Sequence, residues 1–256
     1  MANAALVGLS AQMALQRDLD VVANNIANSN TSGFKADRGL FQEYLSPTAR
    51  ENRFGSGDRP IRFVQDGMAW HDLAQGSIQQ TGNPLDVAID GRNAFLVVQT
   101  PNGERYTRAG ALQINTRGQL VTMDGSPVMG EAGPIVFQPL DRNISITPDG
   151  RVSVLEGADN KISSQRGRFR LVTFANLQQL QKDGANNFAA PAGGAQPAGF
   201  PVKLVQGAIE KSNVNSVMEI TRLMEITRTY TNVANLLQQH NDMRKSAIER
   251  LADVPT

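Results

Sequence analysis

Apolar side chains recur at steps of three and four at both ends of this chain, and at alternate positions between turn signals in its middle. The pattern predicts helix, then strands, then helix. The closing segment, residues 214–251, contains neither proline nor glycine. Leu223, Ile226, Tyr230, Val233, Leu237, Ala247 and Leu251 form one stripe along it, with His240 and Arg244 at two of its positions. At about 1.5 Å per residue this helix is roughly 57 Å long, about twice the ~30 Å diameter of a small domain. One compact domain cannot easily cover it.

More apolar residues lie off the stripe. Val217, Ile220 and Met224 cluster on a second face, and Met218, Leu236 and Met243 fall on a third. A short duplication contributes: Met218-Glu219-Ile220-Thr221-Arg222 is followed by Met224-Glu225-Ile226-Thr227-Arg228. An offset of six residues turns a helix by about 240°, so the copies point in different directions. In the opening segment Leu6, Leu9 and Met13 share one face, and Leu15, Leu19, Val22 and Ile26 share nearly the opposite one. Asn24, Asn25, Asn28 and Asn30 precede Thr31-Ser32-Gly33, which reads as a helix end followed by a fixed turn. Periodicity alone fits an antiparallel pair capping a globular domain equally well. The third apolar face tilts the reading toward assembly among many copies.

Between the ends, strand-like runs at 85–89, 94–99, 104–108, 111–115, 119–123, 144–147, 151–155 and 168–174 alternate with turn signals such as Asn83-Pro84, Asp90-Gly91, Asn102-Gly103 and Asp149-Gly150. They predict an antiparallel β domain, a sandwich or an irregular barrel. A short helix is expected at 176–182, a Pro- and Gly-rich loop at 189–199 and an irregular stretch at 47–60. The expected fold class is therefore α+β: discontinuous N- and C-terminal helices packed as a coiled-coil-like pair, with a central, mainly antiparallel β domain. Residues 1–35 and 213–256 would form the helical assembly domain, 36–75 an extended connecting segment and 76–212 the β-rich domain.

Composition narrows the chemistry. The 256 residues hold 25 Lys and Arg against 24 Asp and Glu, so nothing advertises a nucleic-acid or membrane surface. There is no cysteine, which removes disulfides and thiolate sites. No apolar run approaches the ~18 residues of a membrane span. The first basic residue is Arg17, so the start lacks the charge of a secretory signal and any export would use another route.

Candidate catalytic groups are sparse. His71 lies beside Asp72 and His240 lies far away on the closing helix, without metal-ligand spacing or a nucleophile elbow. Asp86 and Asp90 could pose as a hydrolase pair but read as turn chemistry. Arg166, Arg168 and Arg170 alternate onto one strand face and read as solvated. Gly55-Ser56-Gly57 lacks the lysine that would complete a phosphate loop. No catalytic, cofactor-binding or metal-binding residue is predicted, and no cofactor.

The run Asn24-Asn25-Ile26-Ala27-Asn28 followed by Asn30-Thr31-Ser32-Gly33-Phe34-Lys35 closely resembles the N-terminal signature of bacterial flagellar rod and hook proteins. Matching phrases follow in order: Gln75-Gly76, the stretch 81–89 beginning Thr81-Gly82-Asn83-Pro84, then Tyr106-Thr107-Arg108-Ala109-Gly110, and finally 207–214 beginning Gly207-Ala208-Ile209-Glu210. The resemblance covers essentially the whole chain. One departure is Arg92-Asn93-Ala94-Phe95, where the family usually has a glycine and two aromatics.

The resemblance implies a non-enzymatic subunit of the flagellar basal-body rod, assembled helically with itself and other rod proteins so that it transmits torque. It also implies export by the flagellar type III apparatus into the periplasm-spanning rod, without a cleaved signal peptide, membrane insertion or nucleic acid. Subunit assembly is then expected to rest on Leu15, Leu19, Val22, Asn24, Asn25, Ile26, Asn28, Gly33 and Phe34, and on Leu223, Ile226, Tyr230, Val233, Leu237 and Leu251. Rival readings are a surface adhesin or phage-type tube protein and a cell-wall hydrolase using Asp86 and Asp90.

Overall fold

The computed structural model describes residues 2–39, 41–50, 60–66, 70–156, 162–184, 186–191, 193–199 and 202–252. Helices at both ends and a mainly antiparallel β region between them make the fold α+β. The chain divides into two compact units. One comprises Met1–Ala27, Asp37–Trp70 and Asn215–Thr256; the other comprises Asn28–Ala36 and His71–Val214.

In the first unit α1 spans Ala2–Ala27 and α2 spans Ser216–Ala252. The Asn215 side chain caps α2 by accepting from the amides of Val217 and Met218, and Glu219 sits in the first turn, where a negative charge suits the helix dipole. The helices run antiparallel: Asn25 faces Glu219, Asp18 pairs with Arg222 at 2.9 Å, and Gly8 lies under Leu237. A Cβ at Gly8 would sit 2.5 Å from Leu237 Cδ2, so the missing side chain makes room for the leucine. The same unit holds an antiparallel hairpin, Phe41–Arg50 against Pro60–Asp66, within the segment read as an extended connection. Residues 51–59 of the irregular stretch 47–60 lie outside the described residues.

The second unit is built on a six-stranded antiparallel sheet. Its order is Gln181–Lys182, Asn187–Ala189, Gly103–Thr107, Ala94–Thr100, Leu171–Phe174, Ala195–Pro197. The central strand is apolar without interruption from Ala94 to Val98 because both of its faces are covered. Ala94, Leu96 and Val98 enter a core with Leu120, Ile135 and Val152, while Phe95 and Val97 enter another with Tyr106, Phe174 and Phe188. A three-stranded sheet, Arg142–Ile146, Arg151–Glu156 and Ile162–Arg168, supplies Val152 and Val154 to the first core.

Several local expectations change: residues 47–50 of the stretch expected to be irregular belong to the strand Phe41–Arg50, and Ala195–Pro197, inside the loop expected at 189–199, is the edge strand of the large sheet because its backbone pairs with Val172–Phe174. The run 168–174 is two strands: Arg168 closes one, opposite Arg151, and Leu171 opens another, opposite Leu96, with buried Phe169 between them. The helix at 176–182 contracts to one 3-10 turn, Leu177–Gln179, capped by Asn176. Arg166 is not solvated; it forks onto both carboxylate oxygens of Asp141 at 2.6 and 2.7 Å and also bonds Glu156.

Candidate functional site

Of the residues expected to mediate assembly, Val22 and Ile226 are buried in the helix pair, and Leu15, Leu19, Ile26, Leu223, Tyr230, Val233 and Leu237 are half-buried. The side chain of Leu251 lies outside the described residues. Asn25 is fully buried and grips its own chain: its Nδ2 donates to the Asp37 carbonyl at 2.8 Å and its Oδ1 accepts from the Asp37 amide at 2.9 Å. Asn28 holds Thr31 through its carbonyl and its side chain, and Asn24 lies on an exposed position.

Both helices leave large apolar side chains exposed among polar ones. Leu6, Leu9 and Met13 are at least 50% exposed on α1, and Val217, Met218, Leu236, Met243 and Ile248 are at least 64% exposed on α2. Residues 241–249 are exposed without exception.

Gly33, Phe34 and Lys35 sit in the second unit, where residues 31–36 run between segments distant in sequence without joining a sheet. Their backbone groups are satisfied one at a time. Asn186 Nδ2 donates to the Ser32 carbonyl at 3.0 Å, and the Gly33 amide donates to the Glu210 carbonyl at 2.8 Å. Lys182 Nζ donates to the Lys35 carbonyl at 2.9 Å, and the Ala36 amide donates to Asn213 Oδ1 at 2.8 Å. Gly33 adopts φ +70°, and a Cβ there would lie 2.4 Å from the Ala109 nitrogen, so only glycine fits. Phe34 is buried with Lys182 Nζ 4.0 Å from its ring centroid.

Lys35 ends in a buried ionic knot. Its Nζ donates to Glu210 Oε1 at 2.6 Å and to the Ala74 carbonyl at 2.7 Å. Glu210 also accepts from the Gly76 amide at 2.8 Å and from Arg108 Nε at 2.7 Å. The remaining guanidinium nitrogens reach the carbonyls of Ala94, Ile89 and Gly91. All three charged side chains are at most 1% exposed. Burial holds the Lys35 ammonium below the ordinary lysine range, with Glu210 opposing the shift and Arg108 adding to it.

The knot gathers the separate phrases of the sequence: Lys35 from the first, Gly76 from the second, Ile89 from the third, Arg108 from the fourth and Glu210 from the last. Pattern reading missed its chemistry, because charged residues inside turn-rich phrases read as exposed. All three charged side chains of the knot are buried and paired, and they join segments far apart in the chain.

The imagined carboxylate pair separates. Asp86 is buried and accepts from Thr81 Oγ1 at 2.6 Å and Asn83 Nδ2 at 3.0 Å, as a turn aspartate does, whereas Asp90 is exposed. His71 packs edge-on to Phe188 at 5.9 Å between centroids. Among the described residues no helix is long and apolar enough to cross a membrane, and no acidic, His or Cys cluster could hold a metal ion.

Comparison with known proteins supplies the family. Residues 6–35 match the family model "Flagella basal body rod protein", 88–154 match "Flagellar hook protein FlgE/F/G D1 domain", and 205–250 match "Flagellar basal body rod FlgEFG protein C-terminal". The chain belongs to the flagellar basal-body rod protein family. It is 38% identical to the flagellar basal-body rod protein FlgF of Caulobacter vibrioides, over 99% of this chain and 100% of that protein. It is 35% identical to FlgF of Mesorhizobium japonicum, over 98% of each chain, and 35% identical to FlgG of Agrobacterium fabrum, over 93% of this chain and 94% of the relative.

Proposed function

We propose that this chain is a structural subunit of the flagellar basal-body rod, in its proximal, FlgF-like part, self-assembling through its terminal helices to transmit motor torque without catalysis. The observation that carries the reading is the set of large apolar side chains left exposed on α1 and α2. Copies stacked helically would bury Leu6, Leu9 and Met13 of one subunit and the second and third faces of α2 against neighbours. Leu15, Leu19, Val22 and Ile26 would pack with Leu223, Ile226, Tyr230, Val233 and Leu237 as a coiled-coil-like pair that stiffens each subunit, and Leu251 would extend that seam. Asn24 and Asn28 would satisfy backbone groups where subunits meet. Residues 1–35 and 213–256 would serve as the assembly domain, 36–75 as the connection and 76–212 as the β-rich domain. The partners would be further copies, other rod proteins and the flagellar type III export apparatus.

Electron microscopy of basal bodies from a strain lacking this chain, beside the complemented strain, tests the reading. A rod missing or stunted close to the inner membrane is the expected result. Complete rods and filaments would refute it, and a rod shortened only at its outer end would point instead to the distal, FlgG-like position supported by the 35% identity to that relative.

A further inference from the structure

The groove that holds residues 31–36 is made by segments that bind one another without them. Glu210 is fixed by the Gly76 amide and Arg108, and Arg108 is fixed by three carbonyls. Asn213 Nδ2 donates to the carbonyls of Asp72 and Ala74 at 2.7 and 3.2 Å, leaving its Oδ1 facing the Ala36 amide. The Lys211 amide donates to the Ser77 carbonyl, and strands Ile78–Gln80 and Ala208–Glu210 pair directly. Residues 31–36 share among themselves the bond from the Phe34 amide to the Thr31 carbonyl and are otherwise held from outside: Asn186 and Lys182 donate to the Ser32 and Lys35 carbonyls, Glu210 takes the Gly33 amide and the Lys35 ammonium, Asn213 bonds both Phe34 and Ala36, and the Asp72 amide donates to the Ala36 carbonyl. Two side chains anchor them, Phe34 beneath Lys182 and Lys35 on Glu210.

We infer that this groove is a peptide-binding site, preformed in the second unit, whose ligand is an extended Gly-Phe-Lys segment supplied in this structure by the chain's own residues 31–36. The segment is a strap seated on that groove. Recognition uses three features at once: a glycine where a Cβ would strike Ala109, an aromatic ring under an ammonium, and a cation placed on a buried carboxylate. A second copy of this chain carries the same segment, so it presents the same ligand. The inference stands apart from the assembly reading, because it concerns one folded unit and not the rod.

The test uses the full chain carrying Phe34→Ala and Lys35→Ala, which empties the groove, and a fluorescent synthetic peptide of residues 28–37. Anisotropy is expected to report binding to this variant and at least about tenfold weaker binding to the unaltered chain, whose groove is filled. A peptide with Lys35→Met is expected to bind on the order of a hundredfold more weakly, the usual effect of removing one partner of a buried charge pair. A folded variant that ignores the peptide, or binds both peptides alike, overturns the inference. Should the variant fail to fold, hydrogen exchange on the unaltered chain decides. Gly33 and Ala36 amides exchanging while the Ala208–Glu210 strand stays protected supports a separable strap; exchange only together with that strand overturns it.

Discussion

Lys35 Nζ meets Glu210 Oε1 at 2.6 Å with neither side chain exposed, so a lysine of the opening signature is neutralised by a glutamate that lies just before the closing helix in sequence. Arg108 closes on the other carboxylate oxygen, leaving two cations on one buried anion. Glu210→Ala strands both cations. The expected loss is about 3 to 5 kcal/mol of stability in the second unit, measured by urea unfolding followed by circular dichroism. A loss below about 1 kcal/mol would mean that water reaches the knot.

The same lysine gives a pH signature. Its folded-state pKa lies below the unfolded value near 10.5, so between the two the unfolded chain binds the extra proton. Stability therefore rises with pH across that window, and the cost of the buried ammonium is present below it. Comparing the unaltered chain with Lys35→Met at pH 7 and pH 10 is expected to show the difference moving in favour of the unaltered chain at the higher pH. A pH-independent difference would contradict this.

An acid limb should come from Asp141. The hydrogen bonds from Arg166 hold its carboxyl below the ordinary value of 3.8. A depressed carboxylate contributes stability that is present above its unfolded pKa and disappears as pH falls through the folded one. Asp141→Asn is expected to lower the melting temperature at pH 7 and to flatten its decline between about pH 4 and pH 2. Parallel declines would assign acid sensitivity to other groups.

Gly8 and Leu237 form a close-fitting pair, since a Cβ on the glycine would sit 2.5 Å from the leucine's Cδ2. Gly8→Leu should push the helices apart at a cost of about 1 to 3 kcal/mol, as overpacking does. Adding Leu237→Ala should restore part of it, measured as coupling in a double-mutant cycle by helix circular dichroism. Additive effects would place the two residues apart.

Leu237→Asp puts a charge into the half-buried stripe of α2 while leaving the second unit untouched. Rods are expected to be absent by electron microscopy of the mutant strain, with the thermal transition of the β unit retained. A normal rod would remove Leu237 from the assembly seam.

The helix pattern was readable because burial on one side of α2 imposes a step of three and four, and Ile226 with its stripe neighbours fills that side while Met218, Met224 and Leu236 stay out. The strands from Ala94 to Thr100 and from Gly103 to Thr107 were readable because Asn102-Gly103 breaks an apolar run where a tight turn is needed. Less was legible at 168–174, where a continuous run hides a change of partner at Phe169, and partner choice depends on residues far away in the chain.

Local sequence thus determined the terminal helices, the strand runs it marked between 85 and 155, the turns between them and, through its ordered phrases, the family. It could not determine that Lys35, Gly76, Arg108 and Glu210 meet, because a charged side chain in a turn-rich phrase carries no periodic mark of burial. That meeting is decided only in three dimensions, where desolvation makes each charge depend on partners from distant segments and the glycines let those segments approach.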